Sequence, residues 1–123
     1  MPLTTSREIN SFKDLRVWQE AVELVRDVYA LCATLPKEET YGLASQMKRA
    51  VISVPSNIAE GHSRNHRAEY RQSVFVSIGS LAEVETQLIL ARELTLVTGD
   101  ELAPVFGRID RLRAMLLTLG RKL

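Results

Sequence analysis

Between Leu15 and Leu119 the apolar residues return every three or four positions, and nowhere do they alternate with polar ones over a strand's length. A three-and-four rhythm gathers side chains on one face of a 3.6-residue helix, whereas a half-buried strand needs a period of two. An all-α fold is therefore expected. The rhythm is interrupted at Pro36, around Gly61 to Asn65, and at Thr98-Gly99-Asp100, which divides the chain into four helices.

The first helix is read from Asp14 to Leu35. Leu15, Trp18, Val22, Val25, Tyr29 and Cys32 form its core stripe, with Val17, Leu24 and Leu31 lying beside it. Pro36 supplies the stop. The second helix opens near Thr40 and carries Leu43, Met47, Ala50, Val54 and Ile58. Pro55 falls inside it, yet the apolar phase is the same on both sides, so a kink is expected there and not an end. Gly61 to Asn65 are read as the next turn, with Ser63 or Asn65 capping a third helix from His66 to Val97, roughly 45–50 Å long. Gly99 is read as ending that helix and Asp100 as capping the fourth. The fourth carries Leu102, Val105, Phe106, Ile109, Leu112, Leu116 and Leu119. Short connections favour antiparallel neighbours, so residues 12–123 are expected to form an antiparallel up-down four-helix bundle, with residues 1–11 as a flexible tail.

A chain of 123 residues, 46% hydrophobic and 25% charged, suits one soluble domain. Its formal charge of +1 gives the whole molecule no strong pull towards nucleic acid or membrane. No apolar run reaches the ~18 residues that a span requires. The start, M-P-L-T-T-S-R-E-I-N-S, lacks the apolar core of a signal peptide, and a cytoplasmic protein without membrane association is expected. The single cysteine, Cys32, excludes an internal disulfide and a cysteine-rich metal site.

The third helix is more apolar than a lone bundle requires. Beside Val74, Ile78, Leu81 and Leu88 runs a second row at Phe75, Ala82, Ile89 and Leu96, then a third at Val76, Leu90 and Val97 broken by Glu83. A core-facing helix needs a stripe only slightly wider than about 100°. These residues are either scattered surface hydrophobes or faces buried against other copies; their arrangement in rows favours a homo-oligomer. A polar row accompanies them. Gln46, Ser53 and Glu60 recur every seven residues on the second helix, with Asn57 beside them, and Ser73, Ser80 and Gln87 do so on the third, with Ser77 beside them. The two rows are either solvated faces or a hydrogen-bonded structural seam between neighbouring helices.

The stretch V-P-S-N-I-A-E-G-H-S-R-N-H, Val54 to His66, could in principle hold a site. Glu60, His62 and His66 could supply an acid and a base, and Asn57 an orienting amide. No H-E-x-x-H, G-x-S-x-G or phosphate-loop signature supports that. No catalytic residue, metal or cofactor is expected, and Asn57 and Glu60 are read as structural. A basic grip on phosphate has more support. From Lys48 to Arg71 five basic residues, Lys48, Arg49, Arg64, Arg67 and Arg71, face two acidic ones, and Arg64, Arg67 and Arg71 can line one side of a helix start. The final stretch sets Arg108, Arg111, Arg113, Arg121 and Lys122 against Asp110. The alternative is an ordinary solvated face.

Four segments carry a resemblance: F-K-D-L-R-V-W-Q-E-A from Phe12, Y-G-L-A-S-Q-M-K-R-A from Tyr41, V-P-S-N-I-A-E-G from Val54 and G-S-L-A-E-V-E-T-Q-L from Gly79. Together they resemble the four-helix-bundle proteins related to those encoded in intervening sequences of bacterial 23S ribosomal RNA genes. The same fold includes the accessory variability determinant of diversity-generating retroelements. The resemblance implies a homopentameric barrel with no known catalytic reaction. For the retroelement relatives it implies a basic surface that engages nucleic acid and a reverse transcriptase. Carried onto this chain, the matching basic positions are Lys48, Arg49, Arg64 and Arg67. The expected protein is thus a non-enzymatic accessory factor for RNA or DNA, or else a pentameric scaffold for a protein partner such as a reverse transcriptase.

Overall fold

The computed structural model describes residues 10–123, which form four α-helices and no strand: α1, Arg16–Cys32; α2, Leu43–Ser63; α3, Arg67–Glu93; and α4, Gly99–Lys122. Of the predicted tail, residues 1–9 lie outside the described residues. Asn10 and Ser11 are already tied down, their backbone N–H groups donating to Asp14 Oδ2 at 2.9 and 3.1 Å. Ser11 in turn accepts from Lys13 N at 3.2 Å, which caps a single 3₁₀ turn, Phe12–Asp14, ahead of α1.

Each helix packs on the next and α4 returns to α1. The senses of the pairs follow from side-chain contacts. Cys32 at the end of α1 lies against Ala44 at the start of α2, while Trp18 shares a groove with Ala59. Ser77 and Ser80 of α3 bond Val54 and Ser53 of α2. Arg67 at the start of α3 bonds Lys122 and Leu123 at the end of α4. Each of these pairs is antiparallel. The shared core includes Leu24, Met47, Ile58, Leu81, Leu88, Ile109 and Leu112, all fully buried. Burying each such side chain contributes about 1.5–3 kcal/mol, which is what holds four short-linked helices together.

The core face of α1 differs from the expected one. Val17, Ala21, Leu24, Val28 and Leu31 point inwards, as does Cys32 of the expected stripe, whereas Trp18, Val22 and Val25 are half-buried and Tyr29 is exposed. Both sets have helical period, so spacing cannot rank them. Neighbours decide: Glu20 and Asp27 flank the inner set on the side of α4, where both meet Arg108, and Trp18 and Val25 flank it on the side of α2.

The helix ends also moved. α2 starts at Leu43, not Thr40, because a 3₁₀ turn at Lys37–Glu39 intervenes and Glu39 Oε1 accepts from Leu43 N at 3.3 Å. α2 continues through Pro55 to Ser63, so Gly61 is helical and buried rather than part of the turn. A Cβ on Gly61 would come within 2.5 Å of Ser73 Cβ, so glycine is there to let α2 and α3 approach. The turn itself is Arg64 to His66, with Asn65 in the left-handed region at φ 61° and no side-chain cap from Ser63 or Asn65 on α3. Asparagine tolerates that backbone better than most residues.

α3 ends at Glu93, four residues short of Val97, which makes it about 40 Å long. Its stop is Thr95 at φ 57°, with Leu96 N–H donating to Ala91 O and Thr95 N–H to Arg92 O, both at 2.9 Å. That double bond pattern is a Schellman end with threonine in glycine's usual place. Gly99 is instead the first residue of α4, and the cap is Thr98, which shares a reciprocal capping box with Glu101. By length and composition α3 is also long and apolar enough to cross a membrane. Val74, Leu81, Val84 and Leu88 of this helix lie in the core between its neighbours.

Candidate nucleic-acid interface

The five basic residues singled out from the sequence occupy two separate places. Lys48 and Arg49 lie early in α2; Arg64 and Arg67 flank the α2–α3 turn, and Arg71 is one helical turn further on. Fifteen or sixteen residues of helix separate Arg49 and Lys48 from Arg64, a distance of about 22–24 Å. Lys48 is half-buried with its ammonium 5.0 Å from the centre of the Tyr29 ring, and Arg49 is exposed.

At the turn, the three arginines are differently engaged. Arg64 lies between two carboxylates, 3.6 Å from Glu60 and 3.9 Å from Glu69. Such exposed pairs contribute little to stability, yet the two carboxylates offset the positive charge of Arg64. Arg67 donates Nε to Leu123 O at 3.2 Å and Nη2 to Lys122 O at 2.6 Å, so it satisfies carbonyls at the end of α4. Arg71 stacks its guanidinium 4.9 Å from the Phe75 ring and meets no carboxylate among the described residues. Through Arg67, the last turn of α4 joins this end of the molecule, bringing Arg121 and Lys122 with it. Sequence reasoning counted those two but did not place them beside the turn, because fifty residues separate them.

The other arginines of the final stretch are spent differently. Arg108 bonds Asp27 at 2.8 Å and Glu20 at 2.9 Å, joining α4 to α1, and Arg113 bonds Glu85 of α3 and Asp110 at 3.2 Å. Both are about three-quarters buried. They hold helices together and are not presented to a ligand.

The polar residues divide as well. The Ser53 and Ser80 hydroxyls share a hydrogen bond across α2 and α3, and Ser77 Oγ donates to Val54 O at 3.0 Å. Ser73 packs against Gly61. Asn57 turns back on its own helix, donating Nδ2 to Ser53 O at 2.7 Å. Gln46 and Glu60 are exposed, and Gln87 is buried with its Oε1 unbonded among the described residues. Glu60 and Asn57 line one cleft with Arg64 and Glu69, while His62 and His66 line another with Tyr70 and Leu123. The groups that could have formed an acid–base set are therefore not brought together. Burial pushes the Tyr70 hydroxyl above its ordinary pKa, and burial pushes the Cys32 thiol up against a smaller opposing pull from Lys48.

A family model described as 23S rRNA-intervening sequence protein matches residues 13–118. The chain belongs to that family. No curated protein matches it. Two of the segments that carried the resemblance, Val54 to Gly61 and Gly79 to Leu88, lie on α2 and α3, and Ser80 of the second bonds Ser53, which immediately precedes the first. In this intervening-sequence family protein, Arg121 and Lys122 lie beyond the matched span.

Two apolar surfaces remain open among the described residues. Trp18, Val22, Val25, Ile52, Pro55 and Ala59 line a groove of about 320 Å³ between α1 and α2. On the outer side of α3, Val76 and Leu90 are each 47% exposed and Leu94 is 61% exposed. Trp18, Val22 and Val25 of the expected α1 core stripe thus line this groove.

Proposed function

We propose that this protein is a non-enzymatic, cytoplasmic accessory factor that binds RNA or DNA through a basic rim repeated around a homopentamer. The observation that carries the reading is the pair of open apolar surfaces, which differ from each other and so fit a head-to-tail contact between copies. Such a heterologous contact closes into a ring when the rotation permits. Family membership and the basic residues around the α2–α3 turn support nucleic acid as the ligand. One protomer's patch is small, and repetition around a ring multiplies it by avidity.

Arg71 is the rim residue most available to phosphate, with Arg64 and Arg67 beside it at the α2–α3 turn; Lys48 and Arg49, about 22–24 Å from Arg64 along α2, stand outside this rim. Purified protein titrated with a structured RNA or a DNA duplex is expected to bind at low salt, with affinity falling steeply as salt rises. Arg64→Glu combined with Arg67→Glu is expected to abolish that binding. Absence of binding to either nucleic acid at low salt rejects the proposal. Capture of one protein that survives nuclease and high salt would then favour a scaffold, with the α1–α2 groove as its contact.

A further inference from the structure

The antiparallel succession collects the start of α1, the end of α2, the start of α3 and the end of α4 at one end of the bundle. Lys13 and Arg16 stand there on α1 and its leading turn, with Arg64, Arg67 and Arg71 at the α2–α3 turn and Arg121 and Lys122 on α4. Against these seven cations stand, among the described residues, three carboxylates, Asp14, Glu60 and Glu69. The opposite end reverses the balance: Glu38, Glu39, Glu93, Asp100 and Glu101 face only Lys37 and Arg92. The side chains of a chain with net charge +1 thus form an axial dipole, about four positive at one end and three negative at the other. Lys13, Arg16, Arg121 and Lys122 are exposed, and none has a carboxylate within ion-pair distance among the described residues.

We infer that this end of the bundle, not its side wall, is the phosphodiester-binding face, and that Arg121 and Lys122 contact the nucleic-acid backbone. The inference rests on the nucleic-acid reading above and adds where the ligand lies. In a cyclic ring whose bundles stand along the ring axis, every copy points the same way, so all basic ends share one face and all acidic ends the other. A polyanion is drawn to the first and repelled by the second. Lys48 and Arg49, about 22–24 Å along α2 from Arg64, are further from that face than two Debye lengths at physiological salt.

Fluorescence anisotropy with a labelled RNA hairpin and a DNA duplex of equal charge, read from 50 to 200 mM salt, tests this. Arg121→Glu with Lys122→Glu is expected to weaken both ligands by about tenfold or more and to lower the salt slope by about two for each engaged copy. Lys48→Glu with Arg49→Glu is expected to change affinity by no more than about twofold on the same screening argument. Arg121→Gln with Lys122→Gln should shift affinity in the same direction by less, and serves if charge reversal disturbs α4. RNA binding without DNA binding, or the reverse, would leave the face in place and distinguish its source of phosphate. Loss of binding in the Lys48/Arg49 variant with retention in the Arg121/Lys122 variant overturns the inference and leaves the broader reading standing. No binding by the unaltered protein rejects both. Poly-glutamate displacing the RNA as well as unlabelled RNA does would assign the face to acidic proteins and overturn the inference.

Discussion

At the scale of single residues, glycine chemistry separates packing from propensity. Gly61 lies where α2 meets α3, and a methyl group there would press on Ser73 Cβ and Oγ at 2.5 and 2.8 Å. Gly107 of α4 has only Arg111 Nη1 near its missing Cβ, at 3.5 Å. Gly61→Ala should therefore destabilise by about 1–3 kcal/mol through overpacking. Gly107→Ala should stabilise by about 0.5–1 kcal/mol, since alanine loses less backbone entropy in a helix. Thermal or urea unfolding of both variants checks the contrast, and a stabilised Gly61→Ala would contradict the close approach. In V-P-S-N-I-A-E-G the sequence marks Gly61 as special and predicts a turn, whereas the residue is helical. One sequence cannot distinguish a glycine needed for φ from one needed for space.

At the scale of elements, the joint between α3 and α4 shows how local signals mislead. T-G-D reads as a glycine stop followed by an aspartate cap, yet Thr95 ends α3 and Thr98 begins α4. Both roles follow from hydrogen bonds that need the loop's full path: the Leu96 to Ala91 bond on one side and the Thr98–Glu101 box on the other. Thr95→Gly should stabilise by about 0.5–1 kcal/mol, because a β-branched residue is strained in the left-handed region and glycine is not. Thr98→Ala should cost about 1 kcal/mol by removing the cap. Denaturant midpoints of the two variants moving in opposite directions would bear this out; equal shifts would place the helix end elsewhere. The same scale explains α1. Two stripes of identical period were visible, and only contact with α2 and α4 determines which one faces inwards.

For the whole molecule, the arrangement of charge and apolar surface matters more than either total. Net charge of +1 suggested a neutral body, but folding brings like charges from distant segments to opposite ends. Apolar excess on α3 and α1 likewise sorts into an outer ridge and a groove on different sides. If these two surfaces meet between copies, Val76→Asp with Leu90→Asp should convert an assembled protein into single folded chains. Sedimentation and circular dichroism would show this as a lower mass with unchanged helix content. A protein that sediments as a single chain before any substitution would remove the ring.

The sequence alone determined that the chain is all-α with four helices, because helical periodicity is a local property written in residues three and four apart. It also carried the family, whose motif segments need no fold to be seen. Tertiary structure decided which stripe of α1 is buried, which arginines are spent on ion pairs, and which cations from opposite ends of the chain share one surface. Those outcomes depend on contacts between residues tens of positions apart, which periodicity does not encode.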